Sequence, residues 1–152
     1  MGDDGLGEVL MKSKKSYLVI GMGRFGKAIA TELYDMKHEV LIIDEHEKDI
    51  TPVMGNVTDA IIGDAKDETV LRSLGITNFD CVIIAIARQE DSILINMMVK
   101  EMGAKSIISK AQNELHARIL SLIGVDRIVR PEYEMGKQIA HSMEDIVTKL
   151  AY

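Results

Sequence analysis

Short apolar runs rich in valine and isoleucine recur along the chain at residues 17–20, 40–43, 60–62, 82–85, 106–108 and 127–129. They are continuous rather than alternating, the pattern of strands buried on both faces. Amphipathic segments lie between them. Phe25, Ile29, Leu33 and Met36 fall on one helical face and Val70, Leu71 and Leu74 on a second. Leu94, Met97, Met98 and Met102 form a third, and Leu115, Ile119, Leu122 and Ile123 a fourth. A weaker helix is expected near residues 47–54, where Pro52 and Gly55 interrupt the pattern. Alternation of strand and helix implies parallel strands joined by right-handed crossovers. The prediction is an α/β, Rossmann-like, doubly wound parallel six-stranded sheet with helices on both faces. Pro131 is expected to mark the end of the sixth strand.

One further stripe follows: Met135, Ile139, Met143, Ile146 and Leu150 recur every three or four residues. Once earlier helices cover the sheet, this C-terminal helix has no internal core left to join. A methionine-rich stripe then suits a crossover or dimerisation contact with another subunit. The alternative is that the helix folds back on its own sheet.

The chemistry concentrates at strand ends. Gly21-Met22-Gly23-Arg24-Phe25-Gly26 directly follows the first strand and opens the first helical stripe. Asp44, with Glu45 beside it, ends the second strand at about the 20-residue interval of the dinucleotide fingerprint. In that pattern Gly21 permits a tight turn, Gly23 lets a phosphate approach the main chain, and Gly26 lets the helix pack closely on the sheet. The free N–H groups of the helix start then face the phosphates. Asp44 is expected to accept from ribose hydroxyls and to repel a 2′-phosphate; its alternative is a helix cap. Asp64 and Ala65 end the third strand, and Ala85, Ile86 and Ala87 the fourth, where open α/β sheets bind ligands. Asp64 either meets an adenine amino group or caps the next helix. Arg24 either pairs with a terminal phosphate, which would separate triphosphate from diphosphate by charge, or stays solvated.

Composition narrows the function classes. The 152 residues are 47% hydrophobic and 28% charged, a soluble globular balance for one domain. No run approaches the ~20 apolar residues of a membrane span. A net charge of −6 argues against nucleic acid as a partner. The acidic, glycine-rich start lacks a signal core, and residues 1–15, with Lys12, Lys14 and Lys15, read as a flexible arm or a cloning remnant ahead of a domain at 16–152. The single cysteine, Cys81, excludes an internal disulfide and reads as a buried small hydrophobe. His38, His46, His116 and His141 are scattered without metal spacing.

The glycine loop, Asp44, Gly63-Asp64-Ala65, Lys110-Ala111-Gln112 and Gly124-Val125-Asp126-Arg127-Ile128-Val129-Arg130-Pro131-Glu132 together resemble the RCK (TrkA-N) domain. The likeness spans residues 16 to about 150. It is strongest to the Ktr-type soluble gating subunits of bacterial potassium transporters. The resemblance implies regulation rather than catalysis, with ATP/ADP preferred and NAD(H) as the alternative ligand. It implies homodimers that build a ring on a membrane ion-conducting subunit, at the inner face of the cell membrane. It further implies that Arg24 senses the terminal phosphate, Asp44 the ribose, and Glu132 a site near the dimer interface that can bear a divalent cation. Lys110 would position nucleotide or hold the adjacent loop. Family subunits usually carry a second, C-terminal ligand domain, which a chain stopping at Tyr152 is expected to lack. The competing functions are an NAD-dependent oxidoreductase and an NADH-sensing regulator. The first would need a proton-transfer residue beside the nicotinamide, and the second a DNA-reading segment.

Overall fold

The computed structural model describes residues 14–151; the expected arm at 1–15 lies outside the described residues but for its last two. Six strands form one sheet: β1 (Ser16–Ile20), β2 (Glu39–Asp44), β3 (Asp59–Ile62), β4 (Cys81–Ile84), β5 (Ile107–Lys110) and β6 (Arg127–Val129). All pairings are parallel, in the order β3-β2-β1-β4-β5-β6. The six predicted strands are therefore all present, in the doubly wound order that reverses between β1 and β4.

The helices are α1 (Arg24–Asp35), α2 (Glu47–Ile50), α3 (Glu68–Ser73), α4 (Gln89–Glu101), α5 (Glu114–Ile123) and α6 (Pro131–Ala151). The weak helix expected near 47–54 is one α-turn, α2, followed by a 3₁₀ turn at Thr51–Val53 with Pro52 inside it. Pro131 opens α6 at its first position, where its missing N–H costs no hydrogen bond.

The strands divide their side chains between two cores, as period-two geometry requires. Leu18, Ile20, Val82 and Ile84 face α3, α4 and α5 through Leu71, Ile95, Val99 and Leu120. Val19, Ile42, Cys81 and Ile83 face α1 and the α2 turn through Ala30, Ile50 and Val53. Cys81 is buried, as expected, and its thiol is held above its ordinary pKa chiefly by that burial.

Two helix faces differ from the apolar periodicity. On α4, Leu94 and Met97 are exposed while Ser92, Ile95, Asn96 and Val99 are buried. On α5, Leu115 and Leu122 are exposed, and His116 and Leu120 point inward. The reason is a buried polar cluster. Asn96 Nδ2 donates to Ser92 O at 2.8 Å and to Ser109 Oγ at 2.9 Å, and His116 Nε2 lies 3.0 Å from Ser92 Oγ. The Asn96 amide, the Ser92 and Ser109 hydroxyls and the His116 ring each find a partner there, while Asn96 Oδ1 is buried without one.

Helix α6 packs on neither face of the sheet. Residues 132–150 are exposed, and Met135, Ile139, Met143 and Ile146 each remain about half accessible. The fold-back alternative is thus overturned: β6 is the last strand, and both sheet faces are already taken by α1–α5. Among the described residues no helix is long and apolar enough to cross a membrane.

Candidate functional site

A cleft of about 270 Å³ opens where the strand order reverses, at the carboxyl ends of β1, β2 and β4. Its walls are the glycine turn after β1, Asp44-Glu45-His46 after β2, Gly63 to Lys66 after β3, and Ala85 to Arg88 after β4.

The glycine turn is built by close main-chain contacts. Gly21 takes φ +99°, and its N–H donates to Ile43 O at 2.9 Å. A Cβ on Gly21 would lie 2.5 Å from Ala85 O, and one on Gly26 would lie 1.9 Å from Gly21 O. Neither position admits another residue. Gly23 differs: nothing lies within 4 Å of where its Cβ would point, and its φ of −71° is open to any residue. Its hydrogen atom therefore faces free space, not packing. No described side chain caps the N-terminus of α1 or of α4, whereas Asp67 and Asn113 cap α3 and α5. The first main-chain amides of these two helices, which start beside the cleft walls at Gly23 and Arg88, carry no side-chain cap and favour an anion.

Asp44 does more than its spacing suggested. Its Oδ2 accepts from Met22 N at 2.7 Å and its Oδ1 from His46 N at 2.8 Å. With the side chain 13% exposed, the carboxylate bolts the glycine loop to the end of β2 while keeping lone pairs towards the cleft. It caps no helix, since α2 begins after His46 and has no side-chain cap. Asp64 lines the cleft, and its Oδ1 accepts from Lys66 N at 2.9 Å; the cap of α3 that was the alternative for Asp64 is supplied by Asp67.

Glu45, Ala65, Ala85, Ile86 and Ala87 stand in the walls with Gly21, Met22 and Gly23. Arg24, Phe25 and Gly26 do not. Arg24 is exposed as the first residue of α1, beside Gly23, with no ion-pair partner among the described residues. Sequence reasoning missed Lys66, Arg88 and Asp91. Lys66 Nζ lies 3.7 Å from Asp91 Oδ2, and Arg88 Nη1 lies 4.0 Å from Asp91 Oδ1. Their signal was position alone: each follows the end of β3 or β4 by a few residues.

Lys110 and Glu132 are brought together, but away from the cleft. Lys110 Nζ is 3.8 Å from Glu132 Oε1, linking the end of β5 to the first turn of α6. Among the described residues the grouped metal-ligating side chains are Asp44, His46 and Asp49, with ligand atoms within 4.8 Å of one another, and Lys27 Nζ already lies 4.0 Å from Asp49. Glu132 is in no such group.

The TrkA-N domain family matches residues 17–131. The chain belongs to the TrkA-N family. It is 44% identical over 131 residues to Ktr system potassium uptake protein C and 45% identical over 132 residues to Ktr system potassium uptake protein A, both of Bacillus subtilis. These alignments cover 86% of this chain but 59% and 60% of the relatives, so this TrkA-N chain spans about three-fifths of their length. Among solved structures, the TrkA-N domain of the Escherichia coli inner membrane protein ybaL superposes with a TM-score of 0.75 at 16% identity, over 84% of this chain and 96% of that one. The GsuK channel bound to NAD superposes with a TM-score of 0.67 at 16% identity, over 78% of this chain and 22% of that one. At these identities the structures share the fold alone.

Proposed function

We propose that this TrkA-N domain is the nucleotide-sensing regulatory part of a potassium uptake system. The observation that carries the reading is the cleft itself. Uncapped main-chain amides and the open side of Gly23 meet the Asp44 carboxylate at the point where the strand order reverses. Phosphates fit the amides, and a ribose fits the carboxylate. The 44–45% identity to Ktr proteins supports potassium uptake as the process, and regulation rather than hydride transfer as the role.

ATP and ADP are the preferred ligands, with NAD(H) able to use the same ribose and pyrophosphate positions. Arg24, exposed beside Gly23 at the start of α1, is the residue that meets a terminal phosphate. Its fork of donors pairs with a phosphate in a bidentate manner and gains most from the extra charge of a triphosphate. Two copies associate through the uncovered apolar face of α6, the pairs assemble further into a ring, and the ring docks on the cytoplasmic side of a membrane ion-conducting subunit. A ligand shifts such an assembly only by its differential affinity for two arrangements. Calorimetric titration with ATP and ADP tests the sensor: the preference between them should shrink in Arg24→Ala. Equal affinities that Arg24→Ala leaves unchanged would remove the sensing role, and steady NADH turnover with a reducible substrate would favour the oxidoreductase instead.

A further inference from the structure

The segment Lys110-Ala111-Gln112-Asn113 joins the cleft to α6. On one side it holds the cleft wall. Gln112 Nε2 donates to Ala87 O, and among the described residues this is the one side-chain hydrogen bond to the main chain of residues 85–88. Asn113 Nδ2 donates to Gln89 Oε1 at 3.1 Å, in the first turn of α4. On the other side the segment holds the root of α6. Ala111 N donates to Val129 O at 2.8 Å, two residues ahead of Pro131, and Lys110 reaches Glu132. From beneath, Gln112 N donates to His116 Nδ1 at 2.9 Å, so the buried polar cluster fixes the middle of the segment.

We propose that Gln112 is a positioning residue that transmits the nucleotide state of the cleft to the orientation of α6. It grips the Ala87 carbonyl of the wall while its own N–H is held by α5 and that of its neighbour Ala111 by β6. A ligand that displaces residues 85–88 must either break the Gln112 bond or move the segment, and the segment carries the start of α6 with it. With only Arg130 between β6 and α6, the helix follows the end of the strand. Gln112 is exposed, so its side chain can change without loss of the fold. The proposal rests on nucleotide binding in the cleft and on α6 pairing two copies.

The test uses spin labels at His141→Cys, which helical geometry places on the side of α6 opposite the apolar stripe. Cys81 is buried and stays unlabelled. Inter-label distances are measured with saturating ATP and with saturating ADP, in otherwise unchanged protein and in Gln112→Ala and the isosteric Gln112→Glu, which lacks the donor. Nucleotide affinities and melting temperatures are recorded alongside. The expected result is two distinct distance distributions in the parent that merge into one in both variants, with affinities within about threefold, below the 5- to 150-fold span of ordinary allosteric couplings. Variants that keep the two distributions overturn the role of Gln112 while leaving the sensing function intact. Variants that lose nucleotide affinity outright overturn it too, since Gln112 would then serve binding rather than transmission. A parent with nucleotide bound but no difference between ATP and ADP defeats the sensing reading itself, and the proposal with it.

Discussion

Gly23→Ala separates the ligand role of the glycine loop from its structural role. The backbone there has φ −71° and ψ −171°, and no atom lies within 4 Å of the new Cβ, so the folded state admits alanine without strain. Lower unfolded-state entropy favours the variant by about 0.4–1 kcal/mol, and the poorer helix-start preference of alanine opposes it by a similar amount. Stability should stay within about 1 kcal/mol of the parent. Binding should not. The methyl group occupies the open side of the turn, where a phosphate must approach to reach the α1 amides. Loss of one hydrogen bond to a charged group costs about 1.5–3 kcal/mol, or about a ten- to hundredfold rise in Kd. Gly26→Ala makes the contrast. Its Cβ would lie 1.9 Å from Gly21 O, main chain on a buried turn that cannot swing aside, so that variant should lose more than about 3 kcal/mol of stability. Urea denaturation and calorimetric ATP titration on the two variants decide the matter. Unchanged ATP affinity in Gly23→Ala would refute the placement of phosphate against this turn.

Three further outcomes follow from the same geometry. Asp44→Asn leaves one oxygen for the two N–H groups of Met22 and His46, so it should lower both the melting temperature, through about 1–3 kcal/mol, and nucleotide affinity; lost binding at an unchanged melting temperature would show that Asp44 does not hold the loop. Burial lowers the pKa of His116, so the unfolded chain takes up its proton first. The stability from neutral His116 is complete above about pH 6.5 and declines as pH falls through the native value. Urea midpoints between neutral and mildly acid pH should show that decline in the parent, and the His116→Gln variant should lack it. Ile139→Asp, on the uncovered face of α6, should leave the stability of the isolated chain within about 0.5 kcal/mol yet weaken self-association in sedimentation; an unaltered oligomer would place the contact elsewhere.

The chain's own pattern determined the six parallel strands, because each is a local apolar run and alternation with helices leaves one economical way to connect them. It also determined the glycine turn and Asp44, since a strand, a tight turn and a helix start are adjacent in the chain and their spacing is set by local geometry. Tertiary structure alone decided which faces of α4 and α5 turn inward. Apolar periodicity pointed to Leu94, Met97, Leu115 and Leu122, but Ser92, Asn96, Ser109 and His116 hydrogen-bond to one another only when α4, β5 and α5 meet. The same holds for Gln112 and Ala87, and for Lys110 and Glu132, partners separated in the chain and joined by the sheet. The stripe on α6 is legible as amphipathic, but that no described element of its own domain covers it depends on every other helix having already taken its place on the sheet.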